Sequence, residues 1–97
     1  MASAGRSLLP DAEVDARLPP GWARRDGGLE KRFGFADYHR TMAFVNALAW
    51  IAHGEDHHPD LSVHYDHVIV RWRTHSAGGI TARDLHCAAR TDALLPA

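Results

Sequence analysis

The chain has 97 residues, 11 basic and 12 acidic, with a formal net charge of −1 and 45% hydrophobic side chains. That length fits one small domain. With no basic block, binding to nucleic acid through phosphate contacts is not indicated, and no window approaches the ~20 apolar residues of a membrane span. The lone Cys87 rules out an intrachain disulfide or a CxxC metal or redox site, and it weakly favours a reducing compartment. Leu8-Leu9 is too short an apolar run for a signal segment. A soluble cytoplasmic protein is expected, as a single domain over residues 1–97 with residues 1–8 disordered.

In chain order, Pro10 to Leu18 reads as a short helix. Pro10 suits its first turn, Asp11 and Glu13 suit the positive end of its dipole, and Val14 and Leu18 lie one turn apart. Pro19-Pro20-Gly21 ends it. Trp22 to Arg25 and Leu29 to Phe35 are strands joined by Asp26-Gly27-Gly28, which is hairpin chemistry. Leu29, Phe33 and Phe35 should face the core, with the Lys31 stem alongside them.

Asp37 is the expected N-cap of a helix from Tyr38 to about His53, with Gly54 as the residue that ends it. Phe44, Leu48 and Ile51 form one stripe. From Met42 to Ala52 only Asn46 is polar, so the helix is apolar most of the way round. An amphipathic helix needs one apolar face. The excess predicts a second subunit against the outer face, although burial in the chain's own core would also account for it.

A second hairpin follows. A turn at Asp66-His67 sets Tyr65 opposite Val68, Val63 opposite Val70 and Leu61 opposite Trp72, so one face is apolar throughout. The turn type is open, because histidine is unusual where φ > 0 is needed. Gly78-Gly79-Ile80 is a loop. Thr81 and Asp84 form a capping box that opens a last helix to about Leu94, with Leu85, Ala88, Ala89 and Leu95 facing inward. The order helix, two strands, helix, two strands, helix gives an α+β sandwich of two layers, an antiparallel sheet covered on one face.

Eight histidines are far above ordinary usage. Pro59 biases His58 toward extended backbone, so His57 and His58 diverge and should do different jobs. The hairpin register sets Pro59 opposite Thr74, which brings His75 beside the His57-His58-Pro59 segment. Imidazoles near neutrality can both donate and accept protons, which suits an elimination of water. A metal site is the rival use, but HExxH is absent and the adjacent histidines point apart. His39, His64, His67 and His86 read as solvated polar residues, and Cys87 as a small core residue.

Glu55-Asp56-His57-His58-Pro59, then Tyr65, Thr74-His75 and Arg83-Asp84, resemble the pterin-4a-carbinolamine dehydratase family in order and spacing. Gly21-Trp22, Leu29, Arg32-Phe33, Phe35, Asp37 and Tyr38 look like the family's first half, so the resemblance runs from about Leu9 to Leu94. Two positions depart from it: His53 stands where the family often has Glu, and Ser76 where an acidic residue is common. The resemblance implies a four-stranded antiparallel sheet with three helices on one face. It also implies a homodimer or homotetramer through helix 38–53.

The implied reaction is loss of water from 4a-hydroxytetrahydropterin to give quinonoid dihydropterin, which recycles the pterin cofactor of aromatic amino-acid hydroxylases. No cofactor or metal is implied, since the pterin is the substrate. His57 and His75 would be the acid/base pair and His58 would chiefly hold the pterin. Asp56, Pro59 and Arg83 would form the binding site, with Thr81 and Asp84 structural beside it. The alternative is a pterin-binding or regulatory module of the same fold, coactivator-like or tied to molybdopterin metabolism.

Overall fold

Asp26 and Gly27 both adopt positive φ, 49° and 76°. Those angles are what a two-residue hairpin turn needs to match the right-handed twist of its strands. In the computed structural model, which describes residues 7–96, this turn joins β1 (Ala23–Arg25) to β2 (Gly28–Gly34), with Arg25 opposite Gly28. The other elements are α1 (Asp11–Arg17), α2 (Tyr38–Glu55), β3 (Asp60–Val63), β4 (His67–Trp72) and α3 (Ala82–Asp92). A single 3₁₀ turn, His75–Ala77, follows β4. The strands form one antiparallel sheet in the order β1-β2-β4-β3. The α+β fold expected from the sequence is therefore present. The expected disorder of residues 1–8 falls mostly outside the described residues. At its edge Leu9 N–H donates to the Ile80 carbonyl at 2.9 Å.

Leu29, Phe33, Val68, Val70 and Trp72 line one face of β2 and β4 and form a single cluster with residues of all three helices. Val14 comes from α1, Phe44, Leu48 and Ile51 from α2, and Leu85 and Ala88 from α3. Each fully buried aliphatic side chain here contributes about 1.5–3 kcal/mol. Lys31 lies on the same face and keeps its charge satisfied. Its Nζ donates to Asp92 Oδ1 at 2.8 Å and to the Pro20 carbonyl at 3.2 Å, over the Phe33 ring. Arg24, also on that face, makes two hydrogen bonds to Asp15 of α1.

Three local expectations need correction. The β3–β4 register is shifted by two residues: Val63 pairs with Val68, Leu61 with Val70 and Asp60 with Arg71. The turn is Tyr65-Asp66, closed by His64 N–H donating to the His67 carbonyl. A two-residue slip leaves every side chain on its original face, so the apolar pattern could not detect it. Tertiary contacts decide the turn instead. Thr41 Oγ1 donates to the Tyr65 carbonyl and Phe35 N–H to the Asp66 carbonyl, and Tyr65 stacks on Tyr38. Neither turn residue needs positive φ. Leu61 and Val63 do lie on the helical face, but they stay 37% and 39% exposed because β3 is an edge strand.

Next, α2 runs through Gly54 and ends at Asp56, which takes the left-handed conformation at φ 50°, ψ 43°. Asp56 N–H donates to the His53 carbonyl and His57 N–H to the Ala52 carbonyl, the paired bonds of a Schellman ending. Aspartate tolerates this conformation better than most residues. Finally, Ala89 of α3 is exposed; Cys87 and Thr91 are buried with Leu85 and Ala88. On the outside of α2, Ala43, Asn46 and Ala49 are exposed and Trp50 is 76% exposed.

Candidate active site

The Schellman ending of α2 delivers His57 into the protein and leaves His58 at the surface. His57 is buried, its ring stacked on Trp72 at 5.4 Å between centroids. Its Nε2 meets Asp84 Oδ1 at 2.6 Å. Asp84 is fully buried. The other oxygen, Oδ2, accepts from Thr74 Oγ1 at 2.8 Å and from Thr81 N–H at 2.9 Å. Asp84 therefore closes the expected capping box of α3 and holds His57 as well. With two donors already on the carboxylate, the proton between it and the imidazole belongs on Nε2. Nδ1 then carries the lone pair on the other side of the ring, away from the bond to Asp84.

Thr74 lies two residues past β4 and starts the 3₁₀ turn that carries His75. Its N–H donates to the Gly79 carbonyl at 2.9 Å, which closes the loop. Gly78, at φ 76°, makes the reversal possible. In the expected register Pro59 faced Thr74, whereas the observed pairing carries Trp72 to that place. His75 still reaches the site, because the loop after β4 brings it back.

Asp56, His57, His58, Thr74, His75, Ser76 and Arg83 line an open cavity of about 330 Å³. That volume is at the lower end for small-molecule sites. So the three histidines singled out in the sequence share one cavity, as do Asp56 and Arg83. Arg83 has a second occupation: its Nη2 donates to the Glu55 and Asp56 carbonyls at 2.8 and 3.0 Å and so caps the C-terminus of α2. Pro59 is not part of this cavity. It lines a separate apolar groove with Leu48, Ala49, Ala52 and Leu61, on the far side of His58. Thr81 is buried behind the cavity, in the Thr74–Asp84 network.

Of the two positions where the family pattern is broken, Ser76 lines the cavity and His53 does not. His53 sits on α2, its ring edge-on to Trp50. Thr74 and Trp72 are the contributors that reading the sequence undervalued. Their places at the end of β4 and just beyond it, three residues and one residue before His75, were the available signal. Among the described residues no group of three or more His, Cys, Asp or Glu side chains is arranged to hold a metal. Of the histidines read as solvated, His39 is exposed, His64 and His67 stack on each other, and His86 contacts Glu55. Cys87 is buried, and burial first of all pushes its thiol up to about 12.

The sequence model described as pterin 4 alpha carbinolamine dehydratase matches residues 7–94. A Stenotrophomonas maltophilia (strain K279a) protein that carries the name pterin-4-alpha-carbinolamine dehydratase is 57% identical over 90 residues, 89% of this chain and 78% of its own. A like-named protein of Xanthomonas euvesicatoria pv. vesicatoria (strain 85-10) is 58% identical over 87 residues, 86% of this chain and 74% of its own. Among solved structures, a transcriptional coactivator/pterin dehydratase from Brucella melitensis superposes with a TM-score of 0.86 at 28% identity, covering 93% of this chain and 100% of that one. A pterin dehydratase-like protein described as a RuBisCO assembly factor in the alpha-carboxysome gives 0.62 at 30% identity, covering 75% and 84%. No helix among the described residues is long and apolar enough to cross a membrane. With that match and those identities, the chain belongs to the pterin-4-alpha-carbinolamine dehydratase family, a family of hydro-lyases.

Proposed function

We propose that this protein dehydrates 4a-hydroxytetrahydropterin to quinonoid dihydropterin, recycling the cofactor of aromatic amino-acid hydroxylases in the cytoplasm. The observation that carries the reading is the convergence of His57, His58 and His75 on one cavity, with His57 tied to the buried Asp84. In the reaction the C4a–O bond breaks and the oxygen leaves as water with a proton from an acid. The N5–H proton passes to a base, and its electron pair forms the C4a=N5 bond. One proton is given and one taken, so the protein returns to its starting charge.

His57 and His75, which both line the cavity, are the acid/base pair of this reading. Nδ1 of His57 is the atom available to the substrate, since Asp84 fixes the tautomer and steadies the imidazolium when it forms. His58 and Arg83, with Asp56, hold the pterin. Pro59 acts indirectly, by setting the extended backbone of His58. The reaction as written needs no metal or further cofactor. The outer side of α2, which carries the exposed Trp50, is the surface proposed for a homodimer or homotetramer.

The test is direct. The 4a-carbinolamine is generated in solution and its dehydration followed with wild type, His57→Ala and His75→Ala. Loss of about two to four decades in each variant is expected for acid–base groups. A wild-type rate no better than the spontaneous one overturns the dehydratase reading. It would favour a pterin-binding or regulatory, coactivator-like module instead, in line with the coactivator and assembly-factor roles named for the two neighbours, or a place in molybdopterin metabolism.

A further inference from the structure

Residues 55–57 connect the end of α2 to the cavity, and α3 grips all three. Two of the grips lie at the cavity itself: Arg83 on the carbonyls of Glu55 and Asp56, and Asp84 on the His57 ring. The third lies outside it. The Glu55 carboxylate accepts from Arg90 Nη1 at 2.7 Å and from His86 Nε2 at 3.1 Å. Residues 83, 86 and 90 follow the i, i+3, i+7 spacing of one helix stripe, so a single polar edge of α3 faces the turn. Glu55, His86 and Arg90 do not line the cavity.

An ion pair this close to solvent adds little to global stability. It can still bias a local equilibrium. The turn it holds contains a non-glycine residue in the left-handed region, Asp56, and the side chains of Asp56 and His58 are exposed. Such segments open without global unfolding. Opening here breaks the His57 N–H bond to Ala52 and swings the imidazole off Asp84.

We infer that the Glu55–Arg90–His86 clip is a positioning device that suppresses local opening of turn 55–57 and so keeps His57 on Asp84. Its effect on turnover rests on the dehydratase reading; its effect on the turn does not.

The test therefore has two readouts. Amide exchange at His57 is followed by NMR relative to the β4 amides, which report global opening. Dehydration is followed alongside. Glu55→Ala and Arg90→Ala should speed His57 exchange relative to β4 by about two- to fivefold, the range that a partly exposed ion pair corresponds to. Because the turn stays closed in most molecules, kcat should fall by less than that factor, with KM unchanged. Arg90→Lys, which keeps a cation, should recover most of both. Glu13→Ala, which breaks the comparable exposed pair with Arg17 on α1, should change neither. Unchanged relative exchange at His57 in both alanine variants overturns the clip, and so does an equal change in Glu13→Ala. A wild type without dehydratase activity fails the functional reading alone, and the exchange ratio still decides the clip.

Discussion

His57 and Asp84 stand 27 residues apart in the chain and meet at 2.6 Å inside the protein. One residue ends α2 and the other opens α3, so the contact ties two helix termini to the wall of the cavity. Asp84 also accepts from Thr74 and Thr81, which leaves the imidazole as the only partner whose protonation can vary.

Asp84→Asn tests that arrangement. An asparagine that keeps its oxygen toward Thr81 and Thr74 turns its NH₂ toward His57. Nε2 must then accept, and the proton moves to Nδ1, the atom meant for the substrate. We expect kcat to fall by about 10²-fold, the low end for loss of an acid–base group, and stability to fall by about 1–3 kcal/mol from the disturbed buried bonds. The double variant with His57→Ala should be little worse than His57→Ala alone, because both act through one imidazole. Fully additive rate losses would show that Asp84 acts elsewhere.

Much of this was legible in the sequence because it depended on short-range chemistry. Asp26-Gly27 specifies its own hairpin, Asp37 its own helix start, and Thr81 with Asp84 its capping box. The buried stripe Phe44, Leu48 and Ile51 follows from the helical period. The losses came where a distant group overrides a local preference. Gly54 looked like a helix end, but Arg83 supplies acceptor-capping donors one residue later and Asp56 takes the left-handed position instead. The β3–β4 turn moved by two residues because Thr41 and Phe35 hold it. The second role of Asp84 was hidden because a capping box already explained its presence. The convergence of the histidines survived the register error, since the Thr74–Gly79 loop, rather than the strand pairing, returns His75 to the site.

Asp56 offers a way to separate stability from function. A non-glycine residue in the left-handed region costs roughly 1–2 kcal/mol, partly recovered by aspartate's own tolerance. Asp56→Gly should therefore stabilise by about 0.5–1 kcal/mol, raising Tm by several degrees in a domain of this size. Because Asp56 lines the cavity, the same variant should bind pterin more weakly and raise KM. A higher Tm with unchanged KM would leave Asp56 as a helix ending and remove it from the binding site.

Cys87 gives a clean report on global unfolding. Burial is the main cause that pushes its thiol up to about 12, so almost no thiolate exists at pH 8, and the thiolate is the reactive form. Labelling by a disulfide reagent at pH 8 should be negligible in the native protein. In urea it should follow the unfolding transition seen by tryptophan fluorescence. Stoichiometric labelling without denaturant would show that α3 opens on its own.

The pH dependence of stability should carry a signature of Glu55. Its carboxyl is held below the usual carboxylate value of 4.5 by hydrogen bonds from Arg90 and then His86. A depressed folded-state pKa means that the unfolded chain takes up protons first as pH falls. The stabilisation is thus complete above the unfolded value of about 4.5 and is lost as pH drops through the lower folded one. Asp15 and Asp66 are shifted the same way by Arg24 and His67, so wild type alone shows a composite acid limb. Comparison with Glu55→Gln cancels those contributions. Urea unfolding should find wild type more stable than Glu55→Gln at pH 6, with the gap closing progressively below about pH 4.5. A gap that stays constant down to the acid transition would show that the Glu55 charge contributes nothing, and that the hydrogen bonds alone hold α3 to the end of α2.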